Sequence, residues 1–90
     1  MEGAMYEFRL YIAGQTPNST NVTKNVKTFL KDKFGDQYCL NIIDILKNPE
    51  LGEYDEIILT PTLIRVFPPP VRKVIGIFDG DEKALELLLC

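Results

Sequence analysis

Tyr6, Phe8, Leu10 and Ile12 share one side of a period-two pattern, with Glu7, Arg9 and Tyr11 opposite, which predicts a first strand over residues 6–13. After Ala13-Gly14-Gln15-Thr16 the period changes. Val22, Val26, Phe29, Leu30 and Phe34 recur at helical spacing, while Lys24, Lys27, Lys31 and Lys33 fall largely on the outward side. Thr16-Pro17 suits a helix start, because threonine caps free amides and proline fits the first helical position. Gly35 fits the position just past the end. Residues 38–45 are apolar on both faces, the pattern of a strand covered from both sides and reached by a parallel crossover. Asn48-Pro49 opens a short helix to about Ile58, with Glu50, Glu53, Asp55 and Glu56 on its exposed side and a weakening Gly52 inside.

The stretch from Thr60 to Val71 organises the second half. Leu63-Ile64-Arg65-Val66-Phe67 is β-branched and aromatic, as a strand requires. Pro68, Pro69 and Pro70 end it, since none can donate to a sheet ladder and each fixes φ. The block reads as a rigid strand-turn-strand hairpin or as a switchable proline hinge. Residues 73–78 supply the returning strand, Asp79-Gly80-Asp81 a break and helix cap, and residues 82–89 a run of strong helix formers. On that helix Leu85, Leu88 and Leu89 share a face, with Ala84 beside them. The order is βαβαββα: a four-stranded sheet with a parallel βαβ unit, a terminal antiparallel hairpin and helices on both faces. That is the thioredoxin architecture, in which Pro61 is expected to be cis.

Composition narrows the function. Ninety residues, 46% hydrophobic and 26% charged, make one globular domain and exclude a disordered chain. Residues 1–5 read as a disordered start or as residues left by cloning. A net charge of −3 with ten scattered basic residues gives no nucleic-acid patch. No apolar run reaches the roughly 20 residues of a membrane span and no signal peptide is legible, so the expected location is cytoplasmic. Histidine is absent, which removes the commonest general base and metal ligand together. Cys39, in an apolar strand, reads as a small buried hydrophobe, and Cys90 is terminal; a disulfide between them is not expected. The loop where a redox thioredoxin carries C-x-x-C at a helix start is here Gly14-Gln15-Thr16-Pro17-Asn18-Ser19, without a thiol. No catalytic set, metal site or cofactor motif is expected; Asp79, Asp81 and Glu82 read as a helix cap rather than as cation ligands.

Leu10-Tyr11-Ile12-Ala13-Gly14, Thr16-Pro17-Asn18-Ser19, Ile43-Asp44, Leu46-Lys47-Asn48-Pro49, Thr60-Pro61-Thr62-Leu63, Pro68, Pro70-Val71-Arg72-Lys73 and Ile75-Gly76 together resemble the KaiB family. The resemblance runs from about Tyr6 to Lys83. It implies a non-enzymatic clock regulator that binds the hexameric ATPase KaiC and, in cyanobacteria, sequesters KaiA. The family also resembles the sensor domain of the clock histidine kinase SasA, which leaves a thioredoxin-like sensor or adaptor of a two-component system as the alternative. It implies two folds for one sequence: a tetrameric or dimeric ground state of βαββααβ order, and a monomeric thioredoxin-like binding state of the order derived above. The implied partner-binding residues are Thr16, Asn18, Lys47, Arg72, Lys73, Asp79 and Lys83. The implied hinge and switch residues are Pro61, Pro68, Pro69, Pro70, Leu87 and Leu89. Leu87 and Leu89 stand where cyanobacterial relatives carry glycine and aspartate, which favours the final helix. Asn21, Asn41 and Glu56 replace basic residues of the family pattern, which argues against KaiA as a partner.

Overall fold

In a computed structural model of the chain, which describes residues 5–76 and 82–89 (backbone alone at 82, 84 and 89), the elements follow the expected order. They are β1 (Tyr6–Ile12), α1 (Pro17–Phe34), β2 (Tyr38–Asp44), α2 (Pro49–Tyr54), β3 (Thr62–Phe67), β4 (Arg72–Ile75) and α3 (Glu82–Glu86), the last running into a 3₁₀ turn at Leu87–Leu89. One four-stranded sheet has the order β2-β1-β3-β4, parallel between β1 and β2 and antiparallel elsewhere. The caps proposed for Asp79 and Asp81, the strand end at 77–78, the first four residues and Cys90 lie outside the described residues.

The core forms on one side of the sheet. Phe8, Leu10 and Ile12 of β1 meet Val22, Val26, Phe29 and Leu30 of α1, with Leu63, Val74, Leu85 and Leu88 closing the cluster. This is the period-two face of β1 against the apolar stripe of α1, and each buried aliphatic side chain contributes about 1.5–3 kcal/mol. Helix α1 starts where its sequence says: the Ser19 amide donates to Thr16 Oγ1 at 3.0 Å, and the Gly35 amide closes the last turn on the Lys31 carbonyl at 2.8 Å. Tyr6, Phe8 and Phe34 stack at one end of this layer.

Several sequence expectations need correction. Strand β2 is an edge strand, not a covered one, and Ile42 is 39% exposed. Ile42 pairs with Leu10 and so shares the α1 face, at its open margin, while the six-residue α2 leaves Cys39 and Asn41 exposed on the second face. Cys39 accordingly faces solvent as a free thiol. Helix α2 stops at Tyr54 rather than near Ile58. Glu56 takes φ 57°, and the amides of Ile57 and Glu56 donate to the carbonyls of Gly52 and Glu53 at 2.8 and 3.1 Å. That pair of bonds is a Schellman closure, built here on a residue other than glycine. Gly52 has its own use: a Cβ there would stand 3.2 Å from Ile45 Cγ2, so the glycine lets α2 lie close on the β2 exit. Strand β4 ends at Ile75, because Gly76 turns the chain at φ 71°.

Candidate docking surface

The register brings four loops to one end of the sheet. Tyr11 pairs with Ile43 and with Thr62, and Thr62 pairs with Ile75, so the exits of β1, β2 and β4 and the entry to β3 lie together. Hydrogen bonds then lock them. The Ile45 amide donates to the Ile12 carbonyl at 2.9 Å, and the Gly76 amide to the Pro61 carbonyl at 2.8 Å. Asp44 is the central tie: its Oδ1 accepts from the Gly14 amide at 3.0 Å and the Leu46 amide at 2.9 Å, with the side chain 8% exposed. A carboxylate inside the run Ile42-Ile43-Asp44-Ile45 is a legible sign of a buried, hydrogen-bonded acid, although sequence reasoning noted Asp44 only as part of the family resemblance. Gly14 has φ 84°, a conformation that favours glycine and lets the β1 exit turn over Asp44.

Thr16, Asn18 and Lys47 all sit exposed at this end. Thr16 is occupied as the cap of α1, its hydroxyl also donating to Ser19 Oγ at 3.1 Å, so Asn18 and Lys47 are the freer of the set. The Thr60–Pro61 bond beside them is cis, as are Phe67–Pro68 and Pro69–Pro70. Arg72 is not brought to this group. It pairs with Arg65 at the other end of the sheet, next to the triple proline. Lys73 lies on the α2 side, where its Nζ donates to the Asp55 carbonyl at 2.6 Å. Lys83 is exposed on α3, a separate face again, and Asp79 lies outside the described residues. Of the switch residues, Leu87 is 61% exposed while its neighbours Leu85 and Leu88 are buried.

Two further clusters were missed by sequence reasoning. Beneath α2, Asp55 joins β1 to the helix: Arg9 NH1 donates to Asp55 Oδ2 at 2.9 Å and the Tyr11 hydroxyl donates to the same oxygen, within 3.0 Å of the Leu51 carbonyl. Tyr11 is fully buried, and desolvation, followed by the bond to Asp55, pushes its pKa up to about 12. The bond to Asp55 likewise raises Arg9, which stays a cation. The second cluster is Arg65, 4% exposed on β3. Its NH1 donates to the Leu88 carbonyl at 2.6 Å and its NH2 to the Pro70 carbonyl at 3.0 Å, while Nε has no partner. A period-two strand pattern gives no hint that this arginine points inward.

This geometry defines a class. A thioredoxin-like sheet carries a cis-proline loop beside the start of α1, and that loop has no thiol to work with. Solved structures agree on the fold. The N-terminal domain of Synechococcus elongatus SasA superposes with a TM-score of 0.76 at 25% identity, over 94% of this chain and 83% of that one. Chloroplastic thioredoxin z superposes at 0.68 with 15% identity, over 96% and 74%. Sequence relatives are more specific. The circadian clock oscillator protein KaiB of Gloeothece citriformis is 52% identical over 80 residues, 89% of this chain and 76% of the relative. KaiB1 of Synechocystis is 50% identical over the same shares. The KaiB domain model matches residues 9–89, and the chain belongs to the KaiB family.

Proposed function

We propose that this protein is a non-enzymatic clock or ATPase-linked regulator that docks, as a thioredoxin-like monomer, on a KaiC-type ATPase hexamer. What carries the reading is the combination of KaiB membership with a fold shared with the SasA N-terminal domain. The cis-proline end of the sheet presents Asn18 and Lys47 in the open, next to the capped Thr16, and these start the docking surface. Arg72, Lys73, Lys83 and Asp79 are proposed as further contacts by resemblance to the family, of which Arg72, Lys73 and Lys83 lie apart from this end of the sheet. A dimeric or tetrameric βαββααβ form is the store from which the monomer is drawn, with Pro61, Pro68, Pro69 and Pro70 as the hinge within the half that rearranges, from about residue 49 onward. The chemistry needs no cofactor and no metal, and the protein works in the cytoplasm.

The test is capture by an immobilised KaiC-type hexamer. Lys47→Glu and Arg72→Glu are each expected to weaken capture about tenfold, or 1.4 kcal/mol, with unchanged thermal unfolding. Undiminished capture by both variants rejects this surface. The SasA likeness favours one second reading, a sensor or adaptor domain partnering a histidine kinase. Co-purification separates the two: the first reading requires an ATPase hexamer, the second a kinase. KaiA is not among the proposed partners, because Asn21, Asn41 and Glu56 stand where the family pattern has basic residues.

A further inference from the structure

The α2 side of the sheet carries a surface that shares only Lys73 with the docking residues above. A groove of about 720 Å³ runs between α2 and β4, and its apolar lining includes Ile45, Ile57, Ile58 and Ile75. Ile58 is 89% exposed and Ile75 55%, so these side chains form an open aliphatic trough rather than a closed core. Its rim is acidic. Glu53 and Glu56 line it, and neither carboxylate has a side-chain partner among the described residues. Helix α2 carries no basic residue, and the cation among the lining residues, Lys73, has its ammonium bonded to the Asp55 carbonyl.

We infer that this groove takes an extended segment of a partner protein in which Lys or Arg residues flank an aliphatic side chain. The aliphatic group fills the trough and loses water there, which supplies affinity. The flanking cations meet Glu53 and Glu56, which supplies orientation and a faster encounter. Charge decides against a second copy of this chain. A two-fold contact through this face sets the same patch against itself, acid against acid, on a protein of net charge −3. The inference stands apart from the ATPase reading, whose docking residues are mainly basic and, Lys73 excepted, lie outside this groove.

The probe is a synthetic acetylated peptide, Lys-Ile-Lys-Leu-Arg-amide, titrated into the isotope-labelled full chain at low and physiological salt. Its control replaces every cation with glutamate. The basic peptide is expected to move the amide resonances of Gly52, Ile57, Ile58 and Ile75 and to bind more weakly as salt rises. The Glu53→Lys, Glu56→Lys double variant is expected to bind about tenfold more weakly, while Lys33→Gln, on α1 and away from the groove, binds as wild type does. Equal binding of the acidic control overturns the inference, as does the absence of shifts or their appearance at β2. Shifts at these amides that follow protein concentration without peptide overturn it in favour of self-association. None of these outcomes depends on whether an ATPase is captured.

Discussion

Tyr11 illustrates how much one side chain does on the less covered face. Its hydroxyl holds α2 through Asp55, and its pKa of about 12 lies above the unfolded value of about 10. The folded state therefore favours the protonated phenol. The stabilisation is complete below pH about 10 and is lost as pH rises toward 12. Tyr11→Phe is expected to flatten the alkaline limb of a stability-versus-pH curve; an unchanged limb contradicts the assignment. Glu56 is the opposite case, a residue that costs stability. An L-residue at φ 57° carries roughly 1 kcal/mol of strain that glycine does not. Glu56→Gly is expected to raise the unfolding free energy by about that amount in denaturant titrations. A decrease would show that the carboxylate makes a compensating contact. Asp44 completes the set, since Asp44→Ala strands the amides of Gly14 and Leu46 and is expected to cost about 1–3 kcal/mol, read by thermal unfolding.

At the scale of elements, the first half of the chain is written plainly in its periodicity. β1 and α1 have strong, unambiguous patterns and caps, and the structure follows them to within a residue or two. β2 differs from its expected place because an apolar run reads the same on an edge as in a centre; its edge position exposes Ile42 on the α1 face, and the shortness of α2 exposes Cys39 on the other. The end of α2 was misjudged because a Schellman closure normally announces itself with glycine, and here the C′ position is Glu56. The proposed docking residues do not form one group: register places Arg72 at the opposite end of the sheet from Lys47. Arg65 was not legible at all, since its burial depends on the 3₁₀ turn and the proline turn closing over it. Among the described residues it ties the 3₁₀ turn and the proline turn to the sheet with two carbonyl bonds and no ion pair. A buried cation so weakly compensated adds little net stability, but it fixes geometry. Arg65→Met is therefore expected to change global stability by less than about 1 kcal/mol while hydrogen exchange over residues 82–89 accelerates and that of β1 does not. Uniform acceleration would make Arg65 a general core residue instead.

At the scale of the molecule, two halves of unequal strength share one sheet. β1, α1 and β2 are joined by parallel pairing and the aromatic-aliphatic core. β3 is paired to β1 along its length, whereas β4 and the final helix are held by one hairpin, by Val74, Leu85 and Leu88, and by Arg65. A helix of one and a half turns followed by a 3₁₀ turn is marginal alone, so its intrinsic preference weighs heavily. Leucine at 87 and 89 favours helical backbone, where glycine costs nearly 1 kcal/mol. The central claim is that this protein populates the thioredoxin-like form without a partner. Sedimentation velocity combined with amide NMR, on the wild type and a Leu87→Gly, Leu89→Asp double variant, tests it most directly. The account predicts a substantial monomer population in the wild type, helical over residues 82–86 with β3 paired to β4, and a shift toward a tetramer in the variant. A wild type that is wholly tetrameric, with residues 82–89 extended, would contradict it.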